Sequence, residues 1–171
     1  MYNLKKGLNM SLRSLTLILS LFVPVPVYAH EFWISPVKYE VSIGEPIEAH
    51  FRVGQGFNGS GHSFLRRQTT RHEIVQGSQI TPVTGRNGDR PAFQHSGQSN
   101  GLAVLVHETT DSSLTYKEYE KFMNFVKHKS FEGQPEAHQA RGLPKVGFRE
   151  SYRRFAKSLI AVGDGAGQDI S

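Results

Sequence analysis

Ile47-Glu48-Ala49-His50-Phe51-Arg52-Val53 alternates apolar and polar residues without a break. Successive side chains of a β-strand point to opposite faces, so this stretch reads as a half-buried strand, with His50 on its polar face between an acid and a base. Upstream, Tyr39, Val41 and Ile43 alternate with Glu40 and Ser42, and Gly44-Glu45-Pro46 supplies a turn. Residues 31–53 therefore read as a pair of strands or a short meander. Leu102 to His107 is apolar on both faces, the pattern of a central strand covered on each side. Ile74-Val75 and Ile80 to Val83 suggest shorter strands, followed by a turn at Gly85-Arg86-Asn87-Gly88-Asp89. Ala156 to Val162 lacks helical spacing and reads as a strand entered from a short turn. The expected fold is mainly β, an antiparallel β-sandwich-like (immunoglobulin-like) domain with one principal helix.

That helix is expected to begin at Thr115. Thr115 and Glu118 have capping-box spacing, and Tyr116, Tyr119, Phe122, Met123 and Val126 recur at helical spacing. Lys127, His128 and Lys129 then place positive charge where the helix dipole favours it. The aromatic stripe reads as a face packed on the sheet. Residues 130–149 read as a long loop, and the glycines of residues 54–63 as a loop leaving a strand, since they lack the lysine and spacing of a phosphate-cradling loop.

Residues 1–29 have the three parts of a secretory signal: Lys5, Lys6 and Arg13 in front, an apolar run from Leu15 to Val23, and Val27-Tyr28-Ala29 before His30. The apolar run falls far short of the ~20 residues of a spanning helix. Cleavage is expected between Ala29 and His30, giving a periplasmic protein with no retained membrane anchor. Residues 30–163 form the β-rich domain, and the glycine-rich tail 164–171 reads as the start of a missing C-terminal segment. The formal charge of +5 falls to +2 without the three leader cations, leaving 17 basic against 15 acidic residues. That near-neutral balance argues against nucleic acid as a partner. No cysteine is present, which removes disulfides, thiolate metal sites and cysteine nucleophiles.

Cleavage would make His30 an amino terminus. Its α-amine titrates near ~7.7–8 and can shed a proton to bind metal at neutral pH, so amine and imidazole together form a bidentate clamp. Such nitrogen donors suit nickel, cobalt, copper or zinc. Glu31 would point to the opposite face of the strand. His50 and His107, both on expected strands, are the candidate partner ligands, set against a solvent-exposed and a near-core histidine as the plain alternatives. His62, His72, His95, His128 and His138 fall in loops or at a helix end without metal-ligand spacing. Arg154 and Lys157, beside Tyr152, read either as an anion clamp or as a brace against Glu118 or Glu150. Phe32 and Trp33 read as core or groove aromatics. Enzyme signatures are absent from the sequence, so no catalytic role is expected.

Ala29-His30-Glu31-Phe32-Trp33, Gly44 before a strand, Arg52-Val53-Gly54-Gln55-Gly56-Phe57, the helix around Lys121-Phe122, and the block from Glu150 to Gly163 resemble the domain-of-unknown-function family 4198. The resemblance runs in order over roughly 30–163. It implies a β-sandwich-like exported protein, with nickel or cobalt as the suggested ligand and an inner-membrane metal transporter as the suggested partner. Family members tend to carry an aromatic at the position of His107 and to continue past Gly163, whence the expectation of a truncated chain. The competing expectation is a non-catalytic β-sandwich binding or structural module without metal.

Overall fold

The computed structural model describes residues 30–168, so the leader, Ala29 and residues 169–171 lie outside the described residues. The first half of the chain forms β1 (Glu31–Pro36), β2 (Glu40–Val41), β3 (Ile47–Gln55), β4 (Asn58–His62), β5 (Thr69–Gln76) and β6 (Gln79–Pro82). Then come β7 (Phe93–His95), β8 (Gly101–Thr109), β9 (Ser112–Tyr116), α1 (Tyr119–His128), α2 (Gln134–Ala140), β10 (Phe148–Tyr152) and β11 (Phe155–Val162).

Two sheets make the sandwich. In one, β3 pairs antiparallel with β1 along one side, and with β7 and β4 along the other. In the other, the order is β2-β11-β8-β5-β6, antiparallel except for the short parallel pair of β2 and β11. The inward residues are those that the alternation selects. Ile47, Ala49 and Phe51 of β3 meet Ile74 of β5, Ala103 and Leu105 of β8, and Ile160 and Val162 of β11 in one buried cluster. Phe93, Ile47, Leu105, Ile160 and Val162 are fully buried. Each such side chain contributes about 1.5–3 kcal/mol relative to leaving it in water. As its two-sided apolar pattern predicts, β8 lies in the middle of its sheet.

Residues 54–63 depart from expectation. They form the end of β3, a turn and β4. Gly56 and Phe57 both take positive φ, 55° and 60°, as a two-residue hairpin turn of the right twist requires. The glycines mark close approach: a Cβ on Gly54 would lie 2.0 Å from the Asn58 carbonyl oxygen, and one on Gly59 2.3 Å from that of Val53.

The helical region departs as well. Thr115 sits in β9 opposite Arg149 of β10, and the helix begins only after Glu118, which is extended and makes no side-chain cap bond. Backbone pairing with a distant strand overrides the capping-box spacing. The expected loop 130–149 contains the second helix, α2, entered from Gly133 at a positive φ of 82° with Pro135 in its first turn. The aromatic stripe packs on the β9–β10 ribbon and not on the main sheet: Tyr116, Phe122 and Val126, with Tyr119 and Phe148, form a separate small core. Met123, expected in that face, is exposed.

The unit from β9 to β10 is thus inserted between β8 and β11, which pair with each other from Phe155 opposite Glu108 to Val162 opposite Gly101. Arg153 braces its base through Glu108 and Asp111, each at 2.9 Å. Gln55 Nε2 and His128 Nε2, 3.3 Å apart, link the end of β3 to the end of α1. Past β11, residues 165–167 make a 3₁₀ turn against β8, where Gly165 leaves no room for a side chain beside the Gly101 carbonyl.

Candidate functional site

Where the inserted unit meets the end of the sandwich lies a cleft of about 670 Å³. His30, the residue before β1, stands exposed on its rim. The ribbon supplies Leu114, Tyr116, Glu150 and Tyr152, the helix Lys121 and Phe125, and the connections Lys117, Lys129, Arg153 and Arg154. Leu114 and Tyr116 share a face of β9, as do Glu150 and Tyr152 on β10, and Lys121 and Phe125 are one turn apart on α1. Ser113 and Thr115, of the other parity on β9, also line the cleft.

Charge in the cleft is one-sided. Glu150 is the one carboxylate among its described lining residues, and it accepts a hydrogen bond from the Tyr116 hydroxyl at 2.7 Å. Burial, helped by this bond and by the Glu150 charge, pushes the Tyr116 phenol well above its ordinary range, so it stays a donor. The Arg154 guanidinium lies 4.9 Å from the centroid of the Tyr152 ring.

A family model described as "Domain of unknown function (DUF4198)" matches residues 27–170. The chain belongs to this family. No curated protein and no solved structure matches it.

In this DUF4198 chain the three candidate metal ligands do not come together. His30 is on the cleft rim. His50 is half-buried on the outer face of β3, beside Ser35 of β1 and in line with Glu48 and Arg52. His107 points into the core, its ring 4.2 Å from that of Phe51 and 5.7 Å from that of Phe32. Among the described residues no group of three or more histidines, aspartates or glutamates could hold a metal ion.

Arg154 and Lys157 also part company. Arg154 lines the cleft, whereas Lys157 is exposed on the outward face of β11, opposite Val106. Neither carboxylate expected as a brace takes that role, since Glu118 pairs with Lys121 and Glu150 with Tyr116. Phe32 packs against the core, and Trp33 lies over Gly59 on the outer face, edge-on to Phe57.

One pair was not legible in the sequence. His72, expected in a loop, is on β5 directly opposite His107 of β8, and the two buried rings stand 5.4 Å apart and perpendicular. The His72 ring lies 3.9 Å from that of Phe93, tilted by 42°. Its Nε2 faces the Ala92 carbonyl at 3.1 Å. A carbonyl only accepts, so Nε2 carries the proton, and Nδ1 holds a lone pair that has no hydrogen-bond partner among the described residues. His107 Nδ1 is likewise buried without a hydrogen-bond partner among them. Burial pushes His72 down to about 4 against the pull of the Ala92 carbonyl. Burial, then the neighbouring His72, pushes His107 down to about 3 against the Arg71 carbonyl. Both are neutral at neutral pH. The available sequence signal was parity, since His72 shares the inward face of β5 with Ile74.

Proposed function

We propose that this protein is an exported, periplasmic accessory that binds a divalent transition metal of the nickel or cobalt type as cargo and delivers it to an inner-membrane transporter. On this reading it is a binding protein and not an enzyme. The observation that supports it is the position of His30: exposed, next to a strand held over its whole length by β3, and on the rim of a cleft large enough for a small ligand. With residues 1–29 removed, its α-amine and imidazole would chelate one ion, and the paired strand would hold the chelate at the cleft mouth. Nitrogen donors of this kind bind nickel, cobalt, copper and zinc in preference to magnesium or calcium. The exchanging ligands come from outside the described residues or from solvent, as suits a cargo that must be released.

The test is calorimetric titration of nickel, cobalt and copper into protein beginning at His30, and into the same protein acetylated at that amino terminus. Acetylation turns the amine into an amide without supplying a new one and should weaken binding at least about tenfold. Equal affinity in the two forms removes the terminal clamp. The second reading, a metal-free binding module, is favoured by the cations that line the cleft.

A further inference from the structure

We propose that the cleft beside His30 binds a small organic polycarboxylate. Its volume, about 670 Å³, is that of a small-molecule site. Its cations are not all accounted for. Lys121 is matched by Glu118 at 2.9 Å, and Arg153 by Glu108 and Asp111. Lys117, Lys129 and Arg154 have no ion pair among the described residues, although they arrive from three separate places: the end of β9, the end of α1 and the start of β11. Glu150, held by the Tyr116 hydroxyl, offsets one of them and leaves an excess of positive charge. That excess, facing one concave space, makes a field that concentrates anions and repels bare cations.

The geometry narrows the anion. A guanidinium held over an aromatic ring, as Arg154 is 4.9 Å from the centroid of Tyr152, can still present its planar N–H fork to a carboxylate. Cations spread across the cleft call for more than one anionic group on the ligand. Between them the wall is apolar, with Leu114 47% exposed and Phe125 beside it, so a carbon skeleton can be covered between its charged ends. A compact inorganic ion would leave this wall wet. The site needs no metal at His30. If the clamp proposed above is also correct, the bound carboxylates lie where they could complete the ion's coordination, and the cation would then enter as a neutral or anionic complex.

The experiment is isothermal titration of sodium citrate into protein beginning at His30, in metal-free buffer at low ionic strength, with acetate and inorganic phosphate as comparisons. Arg154→Gln and Lys129→Gln each remove one cation from the cleft, and Arg67→Gln removes one from an exposed turn far along the chain. Thermal melts establish that each variant is folded. Citrate should bind more tightly than acetate or phosphate. Each cleft variant should weaken it about tenfold or more, the effect of one charge-assisted bond, while Arg67→Gln leaves it unchanged. Absence of citrate binding overturns the proposal. So does an equal loss in Arg67→Gln, which would mean only net charge is sensed, and phosphate binding as tight as citrate would overturn the carboxylate assignment. None of these outcomes bears on nickel binding to the amino terminus, which the acetylated form tests separately.

Discussion

Acidification should unfold this protein through two side chains in its core. His72 and His107 are neutral in the folded state, at about 4 and about 3, against 6.5 for an ordinary histidine. Their folded values are depressed, so between those values and 6.5 the unfolded chain binds more protons than the folded one. Stability from this source is fully present above 6.5 and is lost as pH falls through the window below it. A solution at about pH 5 is roughly 1.5 units below the unfolded value of each histidine, which at 1.36 kcal/mol per unit costs about 2 kcal/mol for each. The pair costs about 4 kcal/mol, a large share of the ~5–15 kcal/mol that holds a domain together. Repulsion from a charged His72 contributes to His107 only once His72 is protonated, so near pH 5 the two act independently. The assay is urea denaturation at a series of pH values from about 8 to about 4.5. Close to two protons should be taken up on unfolding near pH 5, a slope of about 2.7 kcal/mol per pH unit. His107→Phe, which keeps a ring beside Phe51, should halve that slope. A flat profile between about pH 7 and 5, or an unchanged slope in the variant, would show that the pair is not buried and neutral as described.

Three further perturbations have clear directions. Gly54→Ala places a Cβ 2.0 Å from a backbone oxygen of the hairpin partner, so chemical denaturation should report a loss of about 3 kcal/mol. Phe57→Asn should raise stability by about 1 kcal/mol, because asparagine tolerates the left-handed conformation of that exposed position at less cost than phenylalanine; a lower melting temperature would mean that the edge contact with Trp33 outweighs the backbone term. Tyr116→Phe should cost about 1 kcal/mol and remove a phenol that resists ionisation in an alkaline ultraviolet titration, since burial and Glu150 both hold Tyr116 protonated.

The sandwich was legible where one face is buried and the other wet. The alternation of residues 47–53 located β3 and its inward set, and the two-sided apolar run 102–107 located a central strand. What failed was decided by distant partners. Thr115 and Glu118 have the spacing of a capping box, yet Ser112–Tyr116 finds a strand at Phe148–Tyr152, and a ladder of backbone bonds outweighs one cap. Gly54 and Gly59 read as loop because glycine carries no side-chain pattern, although they are there so that two strands can close on each other. His30 could be singled out from its neighbours in sequence alone. The cleft beside it could not, since Lys117, Lys129 and Arg154 belong to segments that only tertiary packing brings to one space. His50 and His107 were placed on the right elements, but alternation then sends one outward and the other into the core.

The inserted unit between β8 and β11 has a consequence for how recognition and folding divide the chain. At its base the Thr109 N–H donates to the Arg154 carbonyl and the Arg154 N–H donates to the Thr109 hydroxyl, each at 3.0 Å, so the two long strands are already stitched together where the insertion leaves and returns. With its own small core, the unit behaves as an exchangeable cartridge on a finished chassis. Replacing residues 110–153 with a tight turn would shorten a closed loop, an entropic gain of only about 0.6 kcal/mol for each halving of length. It would leave the main-sheet pairing of β8 and β11 in place and take away nearly the whole cleft wall. The side chains that choose a ligand can therefore drift, lengthen or be swapped wholesale without loosening the scaffold that holds His30 at the rim.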